Sequence, residues 1–240
     1  MSKVAILIDG GFFLKRLLTV FPRADVKDPE AVAWALRRLI ASHLKARNRI
    51  EKLPHDRALL YRSFYYDAKP YLKKEHRPVS GKAIDYSRTD EARFRLGLFD
   101  CLRRMSHMAV RLGEVRRERG WVLKEVAQKR LLKGEITVQD LTDADFSLPL
   151  RQKAVDMRIG TDIASLTLKR QVDTIVLVAG DSDFVPASKL ARREGVRIIL
   201  DPLWRSVAPE LFEHIDALQS GFPRPGSRAA QQPNNEEVDT

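Results

Sequence analysis

Cysteine is almost absent. Cys101 is the only one in 240 residues, which excludes an internal disulfide and a Cys-based zinc site. Histidine is scarce as well. The five, His43, His55, His76, His107 and His214, fall at no metal-ligand spacing, so zinc chemistry built on imidazoles is not expected. No apolar run approaches the roughly 20 residues needed to cross a bilayer. The chain enters a strand-like run at Lys3 with no apolar leader or cleavage site before it, as expected of a protein of the reducing cytoplasm with no membrane partner.

Acidic charge is in deficit. Lys and Arg number 43 against 32 Asp and Glu, a formal net charge of +11 with a pI near 9.9. That excess favours polyanions, nucleic acid first and acidic membrane surfaces second; many solvated Lys and Arg are the plainer reading. The chain is long enough for one elaborated α/β domain or two small ones.

Against this basic background, a few carboxylates occupy specific places. Ile175 to Ala179 is a continuous apolar, largely β-branched run, the pattern of a strand buried on both faces. It stops at Gly180 and delivers Asp181 and Asp183. Lys3 to Ile8 is a second such run, ending in Asp9 and then Gly10-Gly11, glycines that permit positive φ and close backbone approach. In an open α/β sheet, chemistry gathers beyond the carboxyl ends of the strands. If the two strands are parallel neighbours, Asp9, Asp181 and Asp183 meet in one crevice. The alternative is that Asp181 and Asp183 are a turn residue and a helix N-cap.

Between these strands, helices are expected over Phe12 to Val20, from Asp28-Pro29 to about Ala46, and from Thr89 to Met105. Arg57 to Tyr66 reads as a strand followed by Asp67, a further acid near the crevice. Tyr65, Tyr66 and Tyr71 among basic residues offer stacking for single-stranded RNA or simply packing. Ala109 to Glu118 and Trp121 to Ala127 read as a hairpin turning at Arg119-Gly120. Arg103, Arg104, Arg111, Arg116, Arg117, Arg119, Lys124, Lys129, Arg130 and Lys133 make this the most basic section, a phosphate-gripping rim or a solvated face. Gly134 to Pro149 is acidic and turn-rich, a mobile loop or a cover over basic surface.

Gln152 opens a helix to about Arg170, with Asp156 in its first turn, where the helix dipole favours a carboxylate. Asp162 lies about 120° around an ideal helix from Asp156, so Asp156 is taken as the inward acid. Lys153 contacts phosphate or faces water. Helices over Val185 to Arg193, closed by Gly195, and over Val207 to Ile215 flank a strand at Val196 to Leu200. Residues 220–240 read as a disordered tail.

An acidic cluster in a basic protein has a physical logic. Hard divalent cations take oxygen ligands, and ions so held activate water and stabilise a leaving oxygen in phosphodiester hydrolysis. The segments Val4-Ala-Ile-Leu-Ile-Asp9-Gly-Gly, Gln152-Lys-Ala-Val-Asp156-Met-Arg-Ile-Gly-Thr-Asp162 and Val178-Ala-Gly-Asp181-Ser-Asp183-Phe-Val-Pro186 resemble the motifs of NYN domains. The similarity is greatest to the LabA-like branch, related to PIN-domain nucleases, and it covers residues 1–219, with 67–150 as an elaborated basic insertion. It implies a Rossmann-like PIN/NYN three-layer α/β fold with a central, mainly parallel sheet and an inserted basic β-hairpin/helix region.

By motif matching it also implies Mg2+ or Mn2+ on Asp9, Asp156, Asp181 and Asp183, with Asp162 as a further family position. The implied activity is RNA cleavage, and no small-molecule cofactor is expected. Lys153, Arg111, Arg116, Arg117 and Tyr66 are the candidate RNA contacts, and a second copy of the chain is a candidate partner. Two other readings stand beside the ribonuclease. One is an RNA-binding or complex-forming module with little catalysis. The other is a phosphatase with an Asp-x-Asp nucleophile, which the second acid site at Asp9 argues against.

Overall fold

The computed structural model describes residues 3–51 and 60–227. The chain begins with β1 (Val4–Asp9), α1 (Gly10–Val20), α2 (Pro29–Glu51) and β2 (Leu60–Lys69). A small hairpin of β3 (Lys74–His76) and β4 (Ala83–Asp85) leads to α3 (Asp90–Arg103) and β5 (Met108–Arg117). Then come β6 (Val122–Leu123), α4 (Glu125–Leu132), β7 (Phe146–Ser147) and β8 (Leu150–Lys153). The chain continues through α5 (Val155–Leu168), β9 (Thr174–Val178), α6 (Val185–Arg193), β10 (Arg197–Asp201), α7 (Pro209–Phe212) and β11 (Ala217–Leu218).

Seven strands form one sheet in the order β11-β10-β9-β1-β2-β5-β8. Every neighbouring pair is parallel except β5 with β8. From β1 the chain first builds outward through β2 and β5, then returns to build outward through β9 and β10 on the other side. The switch point lies between β1 and β9, so a crevice opens beyond their carboxyl ends.

Period-two alternation along β1 sets the layers. Val4, Ile6 and Ile8 pack with Phe13 and Leu17 of α1, Leu36 and Leu39 of α2, and Leu98 and Phe99 of α3. Ala5 and Leu7 face the other way, toward Ile159 and Ile163 of α5, Ala191 of α6 and Leu211 of α7. Helix, sheet, helix: this is the three-layer α/β architecture with a mainly parallel sheet. Each fully buried Leu, Ile or Phe contributes about 1.5–3 kcal/mol, which is why β1 and β9 tolerate a charged crevice at their ends.

Several local expectations need correction. Helix α2 runs on to Glu51 rather than ending near Ala46, because Arg47 remains buried and donates Nη1 to Thr174 Oγ1 at 2.5 Å. The strand expected from Arg57 is described from Leu60; Arg57 to Leu59, like His55, lie outside the described residues. Strand β2 continues to Lys69, so Asp67 is internal and fully buried rather than terminal.

The hairpin over Ala109 to Ala127 does not form. Strand β5 pairs with β2 and β8, β6 pairs with β7, and α4 starts at Glu125. Gln152 and Lys153 belong to β8, not to a helix. A Cβ on Gly113 would lie 2.4 Å from the Lys153 carbonyl, so the bare backbone of β5 admits β8. Ala154, at φ 66, then turns the chain into α5.

Gly134 to Pro149 is organised rather than loose. Thr137 with Asp140 and Thr142 with Asp145 form two capping boxes. Asp143 accepts from the Val79 and Ser80 amides at 3.0 and 3.1 Å, tying this segment to the β3–β4 hairpin. The last helix is a single turn, Pro209–Phe212, because the chain leaves it to add β11. The start of the expected tail is held to the domain: Phe222 is buried against Phe21, and the Gly221 amide donates to Asp201 at 2.9 Å. Residues 228–240 lie outside the described residues.

Candidate metal centre

Asp9 is the last residue of β1 and the N-cap of α1. Its Oδ1 accepts the Phe12 amide at 3.0 Å, so the carboxylate is fixed by the first turn of the helix that follows. The glycine beside it is required by close approach rather than by positive φ. A Cβ on Gly10 would sit 2.5 Å from the Tyr65 ring and 2.7 Å from the Tyr66 carbonyl. Across the switch point, Gly180 plays the same part, since a Cβ there would lie 2.6 Å from the Phe12 ring.

Asp181 and Asp183 follow β9 on an exposed 3-10 turn, Ser182–Phe184, anchored by buried Phe184. Asp181 Oδ1 accepts the Asp183 amide at 3.1 Å, so the cap role is real. It does not exclude a second role, because a carboxylate has a second oxygen that this cap does not use. Asp156 projects from the exposed start of α5.

These acids feel one another. Asp9 is pushed above the ordinary carboxylate range first by burial and then by the charges of Asp156 and Asp67, against the stabilising amide of Phe12. Asp156 is raised by partial desolvation, then by Asp181 and Asp183. Solvent reaches Asp156, so its shift is screened. The charges acting on both groups are carboxylates, which leaves the cluster short of positive charge. Among the described residues, no three His, Cys, Asp or Glu side chains are arranged as they stand to hold an ion.

Asp162 has protein partners of its own. The Tyr66 hydroxyl donates to its Oδ2 at 2.8 Å, and Arg111 Nε donates to the same oxygen at 3.1 Å. On an ideal helix Asp162 lies about 120° around from Asp156. Arg111 also stands over the Phe64 ring, 5.5 Å from its centroid. Arg116 pairs with Glu114 at 2.8 Å and Arg117 with Glu75 at 2.7 Å, both on the far part of β5; Lys153 is exposed on β8.

Tyr65 and Tyr66 are fully buried and Tyr71 nearly so, so none offers a ring face to a base. Tyr65 and Tyr66 point to opposite faces of β2, Tyr65 into the layer of α1 to α3 and Tyr66 into that of α5 and α6. Burial, with the Asp162 charge next, drives the Tyr66 hydroxyl far above its ordinary range and keeps it a donor.

Arg95 is the basic group that sequence reasoning did not single out. From α3 its Nη1 bridges both oxygens of buried Asp67, while Nε donates to Glu91 at 2.5 Å. Asp67 in turn accepts the Ala68 amide at 2.7 Å and repels Asp9. The one sequence signal was the Glu91–Arg95 spacing of four along a helix, which reads as a surface pair.

Residues 99–214 match the family model of the NYN domain. No curated protein and no solved structure matches the chain.

Proposed function

The chain carries an NYN domain, of the PIN-like nuclease superfamily, and on that premise we propose that it is a metal-dependent ribonuclease. One observation supports the reading: β1 and β9 pair in parallel at the switch point, with Asp9 ending one and Asp181 and Asp183 following the other, while Asp9 and Asp156 are raised first by burial and then by acidic neighbours. A divalent cation supplies the missing charge. An all-oxygen donor set of aspartates fits Mg2+ or Mn2+ rather than a thiolate- or imidazole-seeking metal.

Asp9, Asp156, Asp181 and Asp183 would hold the ion. Bound there, Mg2+ or Mn2+ supplies a Lewis acid that lowers the pKa of water and offsets charge on a phosphate. The chain's part is positional. The Phe12 amide holds Asp9, the 3-10 turn holds Asp181 and Asp183, and the left-handed turn at Ala154 starts the helix that carries Asp156. In the proposed reaction, a water oxygen would bond to phosphorus as the P–O3′ bond breaks, and a proton released by the water would pass to the leaving O3′. The products carry 5′-phosphate and 3′-hydroxyl ends. Exposed Lys and Arg supply affinity for the RNA backbone without reading sequence.

Metal binding is tested by melting the protein with and without Mn2+. Binding to the native state alone raises the melting temperature by mass action. The rise is expected in the natural protein and absent in Asp9→Asn and Asp156→Asn. An equal rise in all three would remove these acids from the site.

A second reading, an RNA-binding or complex-forming module with weak catalysis, is favoured by the absence of a ready-made three-ligand group among the described residues. RNA binding without turnover in Mn2+ or Mg2+ would select it.

A further inference from the structure

We propose that the indole of Trp204 is a nucleobase-stacking subsite for single-stranded RNA at the edge of the acidic crevice, an inference that rests on the ribonuclease reading above. The first support is position. Strand β10 runs parallel to β9 with Asp201 opposite Val178, and adjacent strands lie about 4.8 Å apart. The residues after Asp201 therefore leave the sheet on the same edge, one strand over from the turn that presents Asp181 and Asp183.

The second support is conformation. Pro202 to Arg205 forms a tight turn in which the Arg205 amide donates to the Pro202 carbonyl at 2.9 Å. Its two central residues, Leu203 and Trp204, have φ of 45° and 61°. That mirror-image turn is the habit of Gly, Asn and Asp, and strain of this kind persists where the surroundings over-determine it. Here they do. The Leu203 side chain is fully buried, its amide donates to Asp201 Oδ1 at 2.8 Å, and Arg16 holds its carbonyl with Nη2 at 3.0 Å. With Leu203 pinned inward, the turn throws Trp204 outward, 44% exposed.

The ring is also fixed in orientation. Its Nε1 donates to the Phe222 carbonyl at 2.8 Å, so the polar atom is satisfied within the protein and what remains outside is hydrocarbon ring surface. Among the described residues no other ring or guanidinium stacks on it. Trp34, also partly exposed, differs: Arg38 lies over its ring at 4.8 Å and Phe21 packs at 5.7 Å. A rigid exposed aromatic beside exposed Arg205, in a chain of net charge +11, is the combination that holds unpaired bases while cations follow the backbone. It also fills the role that buried Tyr65, Tyr66 and Tyr71 cannot.

The test is binding of the full chain, in EDTA so that nothing is cut, to a fluorescent oligouridine and to an RNA duplex of equal length. Trp204→Leu keeps apolar bulk without a stacking face and is expected to weaken oligouridine binding about tenfold while leaving duplex binding unchanged. Trp204→Phe retains affinity within about threefold, and Trp34→Leu binds as the natural protein does. Unchanged oligouridine affinity in Trp204→Leu overturns the subsite and leaves the ribonuclease reading standing. Equal loss on single strand and duplex also overturns it, since that marks a merely structural residue. If the natural protein neither binds nor cuts RNA, the reading and the subsite fall together. Should Trp204→Leu not fold, Trp34→Phe/Trp121→Phe leaves Trp204 as the one tryptophan of three. Quenching of its fluorescence by oligouridine then supports the subsite, and no quenching overturns it.

Discussion

Tyr66 on β2 donates its hydroxyl to Asp162 on α5 at 2.8 Å, and Arg111 on β5 donates to the same oxygen at 3.1 Å. Two donors on one carboxylate oxygen tie three elements together and account for an acid that a metal would otherwise claim. Tyr66→Phe is expected to cost about 0.5–1.5 kcal/mol of stability, the worth of one hydrogen bond, and to leave metal-dependent cleavage within a few-fold of normal. Asp162→Asn behaves likewise. Denaturant melts and cleavage rates check both. A loss in Asp162→Asn as deep as in Asp181→Asn would place Asp162 among the metal ligands.

Charge on Asp9 works against the fold. Burial, followed by the repulsion of Asp156 and Asp67, raises its folded pKa above the ordinary 3.8. The folded state therefore binds this proton more tightly than the unfolded chain. Its stabilising contribution is present below the ordinary carboxylate range and is lost as pH rises through the raised value. At neutral pH without metal, Asp9→Asn should melt higher than the natural protein, by about 2–4 °C for each kcal/mol relieved, because Asn keeps the cap on α1. The advantage disappears in acid. Melting curves from pH 3 to pH 8 (roughly the span of carboxylate titration) measure it, and a lower melting temperature at neutral pH would contradict the electrostatic account.

Arg95 and Asp67 form a buried ion pair, with Asp67 fully enclosed. Burial raises the Asp67 pKa and Arg95 opposes that shift. Removing one partner strands the other, so Arg95→Met should destabilise by about 3–5 kcal/mol. Arg95→Met with Asp67→Leu removes both charges and should recover most of that loss. Chemical denaturation of the single and double variants measures the coupling; simple additivity would show that the pair is not a unit.

The sequence made the middle of the sheet legible and its margins not. β1 and β9 announce themselves as apolar β-branched runs because both faces are covered, and Asp9, Asp181 and Asp183 stand where those runs stop. Asp162 stood beside Asp156 as a family position, and its bonds to Tyr66 and Arg111 left no sequence signal because they come from distant strands. β8 is four exposed residues with no alternation to read, and its place depends on a missing side chain at Gly113 and a left-handed Ala154. Tyr65 and Tyr66 misled because aromatics among cations look like a binding face until helices pack over both faces of their strand. Trp204 gave no periodic signal at all; its exposure follows from long-range holds on Leu203 by Asp201 and Arg16.

The most direct test of the central claim is cleavage of end-labelled RNA by purified protein in Mn2+, Mg2+ or EDTA, with Asp181→Asn alongside and product ends mapped. The account predicts metal-dependent products with 5′-phosphate ends, none in EDTA and none from Asp181→Asn. Cleavage that persists in EDTA, or products ending in 2′,3′-cyclic phosphate, would contradict it.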